Sequence, residues 1–347
     1  MNERALVGVW CTPEIMEALH RGYKLLKIYE CYSYSESSQY DPNQKSGGLF
    51  SEQVNLFMKI KTEASGYPPW VENNLQKASY IADTFEKEGI KLDPDKIMHN
   101  PSLRSLAKIC LNSFWGKLGE RPNKTQTSIL STYSELVELA NDRSNELVDF
   151  HIINDDVITV DYRKTGGFEP ESHITNEVMA AFTTCYARLE LLKYLDFLGR
   201  QILYCDTDSV IFVTKHTPDN SVGYSNYPNL GWRLGELTNE LPSGVYIEEF
   251  ISTGPKSYAY RLNTGQEVCK FKGITLNYRN SRKITFTAAK ELLLNETKTK
   301  ITLDPSIQFR RLKHYSIIYN ILLSKKVQVT FNKRLITDTL DTLPFGF

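Results

Sequence analysis

Tyr204-Cys205-Asp206-Thr207-Asp208-Ser209 is the stretch on which the fold of this chain turns. Two acids stand two apart, with short apolar runs on each side: Ile202-Leu203 before, Val210-Ile211-Phe212-Val213 after. Apolar runs of this length around a polar break predict two buried strands joined by a tight turn. Two carboxylates then sit side by side at the tip of a hairpin. Such a pair is costly to bury unless a cation neutralises it. Mg²⁺ is held in this way, by a few carboxylates together with waters and substrate phosphates. The chemistry indicated is metal-assisted phosphoryl or nucleotidyl transfer. A bare Asp-x-Asp is more often a turn-former, because Asp side chains bond to nearby backbone. It is the six-residue string as a whole that lifts the pair above that reading.

A second cluster precedes the first. Arg104, Lys108 and Asn112 are spaced by four, so on a helix they share one face at about 6 Å per step. Two cations and an amide along one stripe suit a row of phosphates and a sugar or base. Arg offers a bidentate fork and Lys a point charge. Trp115 continues the stripe and can stack on a base or sugar, and Gly116 permits close backbone approach. The spacing alone favours an amphipathic helix with a solvated basic edge.

A third cluster follows: Thr253-Gly254-Pro255-Lys256-Ser257-Tyr258-Ala259-Tyr260 sets a glycine turn against Lys256 and Tyr258 at period two. In one strand these two side chains point to the same face. A cation with a phenol suits a phosphate and a sugar edge, although an amphipathic strand pair is the common alternative.

The chain has 347 residues, with 41% hydrophobic and 24% charged content, as in ordinary globular proteins. It contains no apolar run of 18 residues, so no transmembrane helix is expected, and the first residues lack the apolar core of a signal peptide. The six cysteines, 11, 31, 110, 185, 205 and 269, are scattered without a C-x-x-C pair. They read as reduced and mostly buried, with neither zinc nor a disulfide framework expected. Net charge is zero, which excludes a uniformly cationic nucleic-acid binder but leaves room for a local basic channel. Residues 298–347 carry nine Lys or Arg (298, 300, 310, 311, 313, 325, 326, 333, 334) against three Asp (304, 338, 341). That excess suits a surface facing phosphates.

Along the chain, Thr12-Pro13-Glu14 opens a helix that ends at Gly22. Residues 23–34 alternate and predict a strand. Residues 50–64, 71–88 and 102–118 predict helices, 156–162 a strand piece and 175–197 a helix. A Pro/Asn/Gly-rich loop spans 217–231. Strands are expected near 244–252, 257–262 and 268–272, and a mainly helical tail over 285–340. The mixture is α+β, with helices segregated from a mostly antiparallel sheet.

Taken as strings, these clusters resemble the family B DNA polymerases. Tyr204-Cys205-Asp206-Thr207-Asp208-Ser209 is similar to motif C of the palm. Lys108-x-x-x-Asn112-Ser113-Phe114-Trp115-Gly116-Lys117 is similar to motif B of the fingers, with Trp115 in place of the commoner Tyr. Lys256-x-Tyr258 resembles the element that holds the primer end, and Lys270-x-Lys272-Gly273 resembles a neighbouring palm segment. Lys96, twelve before Lys108, matches a basic position of the protein-primed branch. Further agreement comes from Gly8-Val9-Trp10, Gly22-Tyr23, Gly48-Leu49-Phe50, residues 59–66 and the terminal Pro344-Phe345-Gly346-Phe347. The resemblance covers essentially the whole chain and is nearest to the protein-primed polymerases of Maverick/Polinton DNA transposons, within the organellar and viral branch.

The resemblance implies a fingers-palm-thumb fold, with an antiparallel palm sheet and helical fingers and thumb. It divides the chain into a palm-proximal segment 1–50, fingers 51–124, palm 125–284 and thumb 285–347. It also implies template-directed DNA synthesis from dNTPs on a primer-template or protein primer. Asp206 and Asp208 would serve as catalytic residues and ligands of two Mg²⁺ ions, with Arg104, Lys108, Asn112 and Trp115 on the nucleotide and Lys256 and Tyr258 on the primer. A terminal priming protein is an implied partner, and a membrane is not. The compartment is nuclear for a transposon enzyme and mitochondrial for a linear-plasmid relative.

One family element has no counterpart. The motif A string Asp-x-x-Ser-Leu-Tyr-Pro does not occur, nor do the exonuclease motifs. The sequence thus reads as the C-terminal part of a polymerase, with little activity expected of it alone. A remnant that only binds DNA or a partner is the alternative. Reverse transcriptases place two adjacent Asp after Tyr-x, and nucleotide cyclases lack the Asn112–Gly116 string, so both fit less well.

Overall fold

The computed structural model describes residues 5–41, 43–170, 172, 174–214, 227–295, 299–312, 317–330, 334–337 and 342–344. The chain divides into two compact units, Trp10–Leu189 and Met1–Val9 with Glu190–Phe347. Among the described residues the strands pair antiparallel within small sheets, and no helix is long and apolar enough to cross a membrane.

The Trp10–Leu189 unit begins with α1 (Thr12–His20), whose N-cap is Cys11, one residue ahead of the hydroxyl cap that the sequence suggests. Residues 23–34, predicted as a strand, form none; Tyr23, Leu26, Ile28, Tyr29 and Tyr32 stay exposed. Alternation alone makes no strand where no partner strand among the described residues takes up the backbone groups. The short hairpin β1 (Tyr40–Asp41) and β2 (Ser46–Gly47) leads into α2 (Ser51–Glu63) and α3 (Asn74–Glu88). An Asn73–Gln76 capping box starts α3, and left-handed Gly89 ends it. Next comes α4 (Pro101–Leu118), where Asn100 caps the Leu103 N–H at 3.0 Å and Pro101 occupies the first turn.

Helices α2 and α4 pack together. Glu63, at the end of α2, is buried, and its carboxylate accepts the Asp93 N–H at 2.7 Å, which ties the loop before α4 to α2. Beyond α4, β3 (Gln126–Leu130), α5 (Tyr133–Asn141), β4 (Asn145–Asn154) and β5 (Val157–Lys164) form a sheet in the order β3-β5-β4. Thr159 and Val160 are buried at the centre of β5, whereas the edge strand β4 is almost wholly exposed. Helix α6 (Glu177–Leu198) closes this unit, and the division between units falls within it.

The second unit contains the acidic hairpin, β6 (Ile202–Asp206) and β7 (Ser209–Phe212). It also contains the meander β8 (Ile247–Gly254), β9 (Ser257–Leu262) and β10 (Glu267–Lys270). Two helices follow, α7 (Tyr278–Lys283) and α8 (Phe286–Leu294), and α8 packs on the meander. The core unites Ile251, Ala259, Phe271, Ile284, Phe286, Ala289, Leu292, Leu303 and Val327.

The helical tail expected over 285–340 is not what forms. Beyond α8 the described elements are strands: β11 (Lys300–Thr302), β12 (Ser306–Leu312), β13 (Ile317–Leu323), β14 (Lys326–Gln328), β15 (Arg334–Ile336) and β16 (Thr342–Pro344). Strands β12 and β13 pair from Ser306↔Leu323 to Leu312↔Ile317. Ile-rich β13 is a better strand than helix former, because branching at Cβ costs rotamer freedom in a helix. Of the basic tail residues, Lys298, Lys313 and Lys333 lie outside the described residues, as do Asp338, Asp341, Phe345-Gly346-Phe347 and 217–226 of the predicted loop.

Candidate functional site

The hairpin forms where the sequence predicts it. Its register runs Cys205↔Val210 and Asp206↔Ser209, leaving Thr207 and Asp208 as a two-residue turn. Thr207 takes a left-handed φ of 54°, and the Asp208 N–H donates to the Asp206 carbonyl at 2.6 Å. Two further bonds fix the turn: Thr207 Oγ1 donates to Asp206 Oδ1 (2.9 Å) and Ser209 Oγ to the Asp206 carbonyl (3.0 Å). The strands are not buried on both faces as expected. Ile202, Tyr204 and Asp206 are half-buried, while Leu203, Cys205 and Asp208 face solvent. The meander packs on the half-buried face. Tyr204 meets Tyr258 at 4.9 Å and Phe250 at 6.3 Å between ring centroids.

Lys256 and Tyr258 do not share a strand face as predicted. Lys256 lies in the turn between β8 and β9 with φ of 57°, and only Tyr258 is in β9. Gly254, at φ of 142°, ends β8, and a Cβ there would run into the Thr330 carbonyl, so the turn requires glycine. The turn nevertheless delivers both residues to the acidic hairpin. The Lys256 N–H donates to the Tyr204 hydroxyl at 3.0 Å, and its Nζ lies 3.5 Å from Asp206 Oδ1. Burial pushes the Tyr204 phenol above its usual range. On the far side of Tyr258, Lys270 lies 5.8 Å from the ring centroid, and its hydrogen bond to Tyr258 holds the ammonium above its usual value. Asp206, Lys256, Tyr258, Tyr204 and Lys270 thus form one connected group. Asp208 stands at its solvent edge, with no hydrogen bond or ion pair on its side chain among the described residues. Among those residues, no third His, Cys, Asp or Glu closes a metal-binding cluster with the two aspartates.

The basic face belongs to the other unit. Arg104 and Lys108 lie exposed on α4, and Arg104 Nε donates to Ser65 Oγ at 3.1 Å. Sequence reasoning assigned no role to Lys61, the cation that joins them from α2. Burial, then the positive charges of Arg104 and Lys108, pull the Lys61 ammonium below its ordinary value, with Glu88 acting weakly the other way. The signal was the Lys59-Ile60-Lys61 run at the end of α2, but only packing of α2 on α4 shows which lysine faces the pair. Asn112 and Trp115 are exposed further along α4, and Gly116 has open space where a Cβ would stand. Lys117 is engaged with Glu120, which also pairs with Lys124; the two ammonium groups hold that carboxylate down at about 2. Lys96 pairs with Asp93 at 3.3 Å.

No family model and no curated protein sequence matches the chain. Among solved structures, phi29 DNA polymerase complexed with primer-template DNA and incoming nucleotide substrates aligns with a TM-score of 0.42 and 13% identity, over 82% of this chain and 39% of that one. Its binary complex with primer-template DNA aligns with a TM-score of 0.43 and 15% identity, over 82% and 38%. This chain spans about two fifths of the length of those solved chains.

Proposed function

We propose that this chain carries the nucleotide- and primer-binding machinery of a DNA-directed DNA polymerase of family B type, a nucleotidyltransferase acting on primer-template DNA and dNTPs. The observation that carries this reading is the Lys256 contact. Two elements 52 residues apart, each resembling a polymerase motif, are joined by Lys256 N–H to Tyr204 and by the approach of its ammonium to Asp206. The finer placement, in the protein-primed branch near the transposon polymerases, rests on the sequence strings alone.

In this reading Asp206 and Asp208 are the metal ligands. Their donors are hard carboxylate oxygens and Asp208 is exposed, which suits Mg²⁺. When bound, such ions neutralise phosphate charge and lower the pKa of the attacking hydroxyl. Lys61, Arg104 and Lys108 take the triphosphate, Asn112 and Trp115 the sugar and base. Lys256 and Tyr258 hold the primer backbone and its terminal sugar. Among the described residues these two carboxylates stand without a third, which leaves a metal pair short of protein ligands, so primer extension by this chain alone is expected to stay at background. If that shortfall means a remnant, DNA binding survives without Mg²⁺-dependent dNTP binding. The deciding experiment measures both. Salt-sensitive DNA binding together with Mg²⁺-dependent dNTP binding supports the polymerase reading, and the absence of both removes it.

Lys61 gives a separate test with a worked sign. Its folded-state pKa lies below 10.5, so the stability linked to its deprotonation is present above that value and lost as pH falls through the folded pKa. Below that window the charged form carries both its burial cost and the repulsion of Arg104 and Lys108. Lys61→Met is therefore expected to raise the thermal midpoint at pH 7, yet weaken dNTP binding about tenfold, ~1.4 kcal/mol. In the unaltered chain, dNTP affinity should begin to fall at a pH where ordinary lysines are still charged. A lowered midpoint with unchanged affinity would make Lys61 a packing residue.

A further inference from the structure

A second cluster of metal-ligating groups lies in the Trp10–Leu189 unit, apart from the acidic hairpin. Cys11 caps α1, Glu14 is in the first turn of α1, and Cys185 is in α6. The two Sγ atoms and a carboxylate oxygen of Glu14 all lie within 4.8 Å of one another. Cys185 is completely buried and Cys11 9% exposed, and both are free thiols. Glu14 is held in place from two sides. Its Oε1 accepts from Arg188 Nε at 2.8 Å and Nη2 at 2.6 Å, and its Oε2 accepts the Cys11 N–H at 3.2 Å.

We propose that Cys11, Glu14 and Cys185 bind one thiophilic divalent cation of the zinc class, with a fourth position left to solvent. The donor set selects the ion: two soft sulfurs and one carboxylate suit Zn²⁺ and disfavour Mg²⁺ or Ca²⁺. The spacing fits, since tetrahedral Zn–S bonds of about 2.3 Å put two sulfurs about 3.8 Å apart. The charges also balance. Two thiolates and a carboxylate bring three negative charges, Arg188 supplies one positive charge and the cation two. The first turn of α1 adds its positive dipole end beside both thiols. Arg188 acts as the outer-shell partner that orients the carboxylate ligand. The cation would fasten the start of α1 to the middle of α6, which no local spacing of cysteines announces.

The test uses the full chain, reduced and freed of metal. Titration with Co²⁺ should give a thiolate-to-cobalt near-ultraviolet absorption that saturates at one equivalent and is displaced by Zn²⁺. Zn²⁺ should shield two of the six cysteines from a thiol reagent. Cys11→Ser should abolish the absorption while keeping α1, because serine is itself a good N-cap. Arg188→Gln should weaken Co²⁺ binding about 10–100-fold without touching the ion. The proposal is overturned by absence of the thiolate band, by its persistence in folded Cys11→Ser, or by a Cys11–Cys185 disulfide in the protein as isolated. Should Cys11→Ser fail to fold, the count of shielded thiols in the unaltered chain decides: two supports the site and none removes it.

Discussion

Phe286→Ala is expected to destabilise the unit built on Glu190–Phe347 by about 3–5 kcal/mol, the range for deleting a fully buried aromatic ring. Phe286 has no solvent exposure and lies among Ile284, Ala289 and Leu292, each at 3% or less. Its ring also faces the Arg261 guanidinium at 4.7 Å, a contact worth about 0.5–2 kcal/mol. Arg261 is itself set by Glu249 at 3.2 Å and Glu267 at 3.1 Å, and Glu267 accepts the Phe286 N–H at 3.1 Å. The ring thus joins α8 to β8, β9 and β10, the strands that carry Tyr258 and the Lys256 turn. Phe286→Leu keeps part of the volume and should cost clearly less. Urea midpoints, with peptide-resolved hydrogen exchange to separate the two units, measure the effect. A loss below about 1 kcal/mol would mean that α8 is held by something other than this core.

What was legible in the sequence had local causes. The acidic hairpin is written as two apolar runs around a polar pair, and α4 as a repeat of four along Arg104, Lys108 and Asn112. Both come out with nearly the expected bounds. What was illegible depends on partners distant in sequence. The strand expected at 23–34 needs a neighbouring strand that the described residues do not supply, and the helical tail fails because β11 pairs with β14 and β12 with β13. The short helices α5 and α7 were missed, since neither has a long periodic face. Among the candidate residues, Lys256 and Tyr258 stand out in the sequence, but their arrangement does not. Reaching the hairpin depends on the positive-φ turn at Lys256, not on strand alternation. Lys61 was hidden in another helix, and burial reaches two of the six cysteines, Cys11 and Cys185, while Cys31 and Cys205 are exposed.

Asp208→Asn separates the two aspartates by their surroundings. Asp208 is exposed and makes no side-chain bond among the described residues, so the amide should leave stability within about 0.5 kcal/mol. It keeps the shape of the side chain and removes the charge. Because even an outer-shell partner of a metal costs about 10–100-fold in affinity when altered, Mg²⁺-dependent dNTP binding should fall at least tenfold, or about 1.4 kcal/mol. DNA binding measured without Mg²⁺ should not change. Asp206→Asn should show the same loss of Mg²⁺ dependence with one addition. Its carboxylate holds Lys256 at 3.5 Å, and that pair is largely solvated and contributes little to stability. Removing the charge frees the ammonium for a phosphate. Metal-free DNA binding should then tighten, and its dependence on salt should steepen by about one counterion. The two variants thus agree on Mg²⁺ and differ on DNA. If Asp208→Asn binds dNTP with undiminished Mg²⁺ dependence, the aspartates are turn residues and not ligands. If Asp206→Asn leaves the salt dependence unchanged, Lys256 does not meet the DNA backbone.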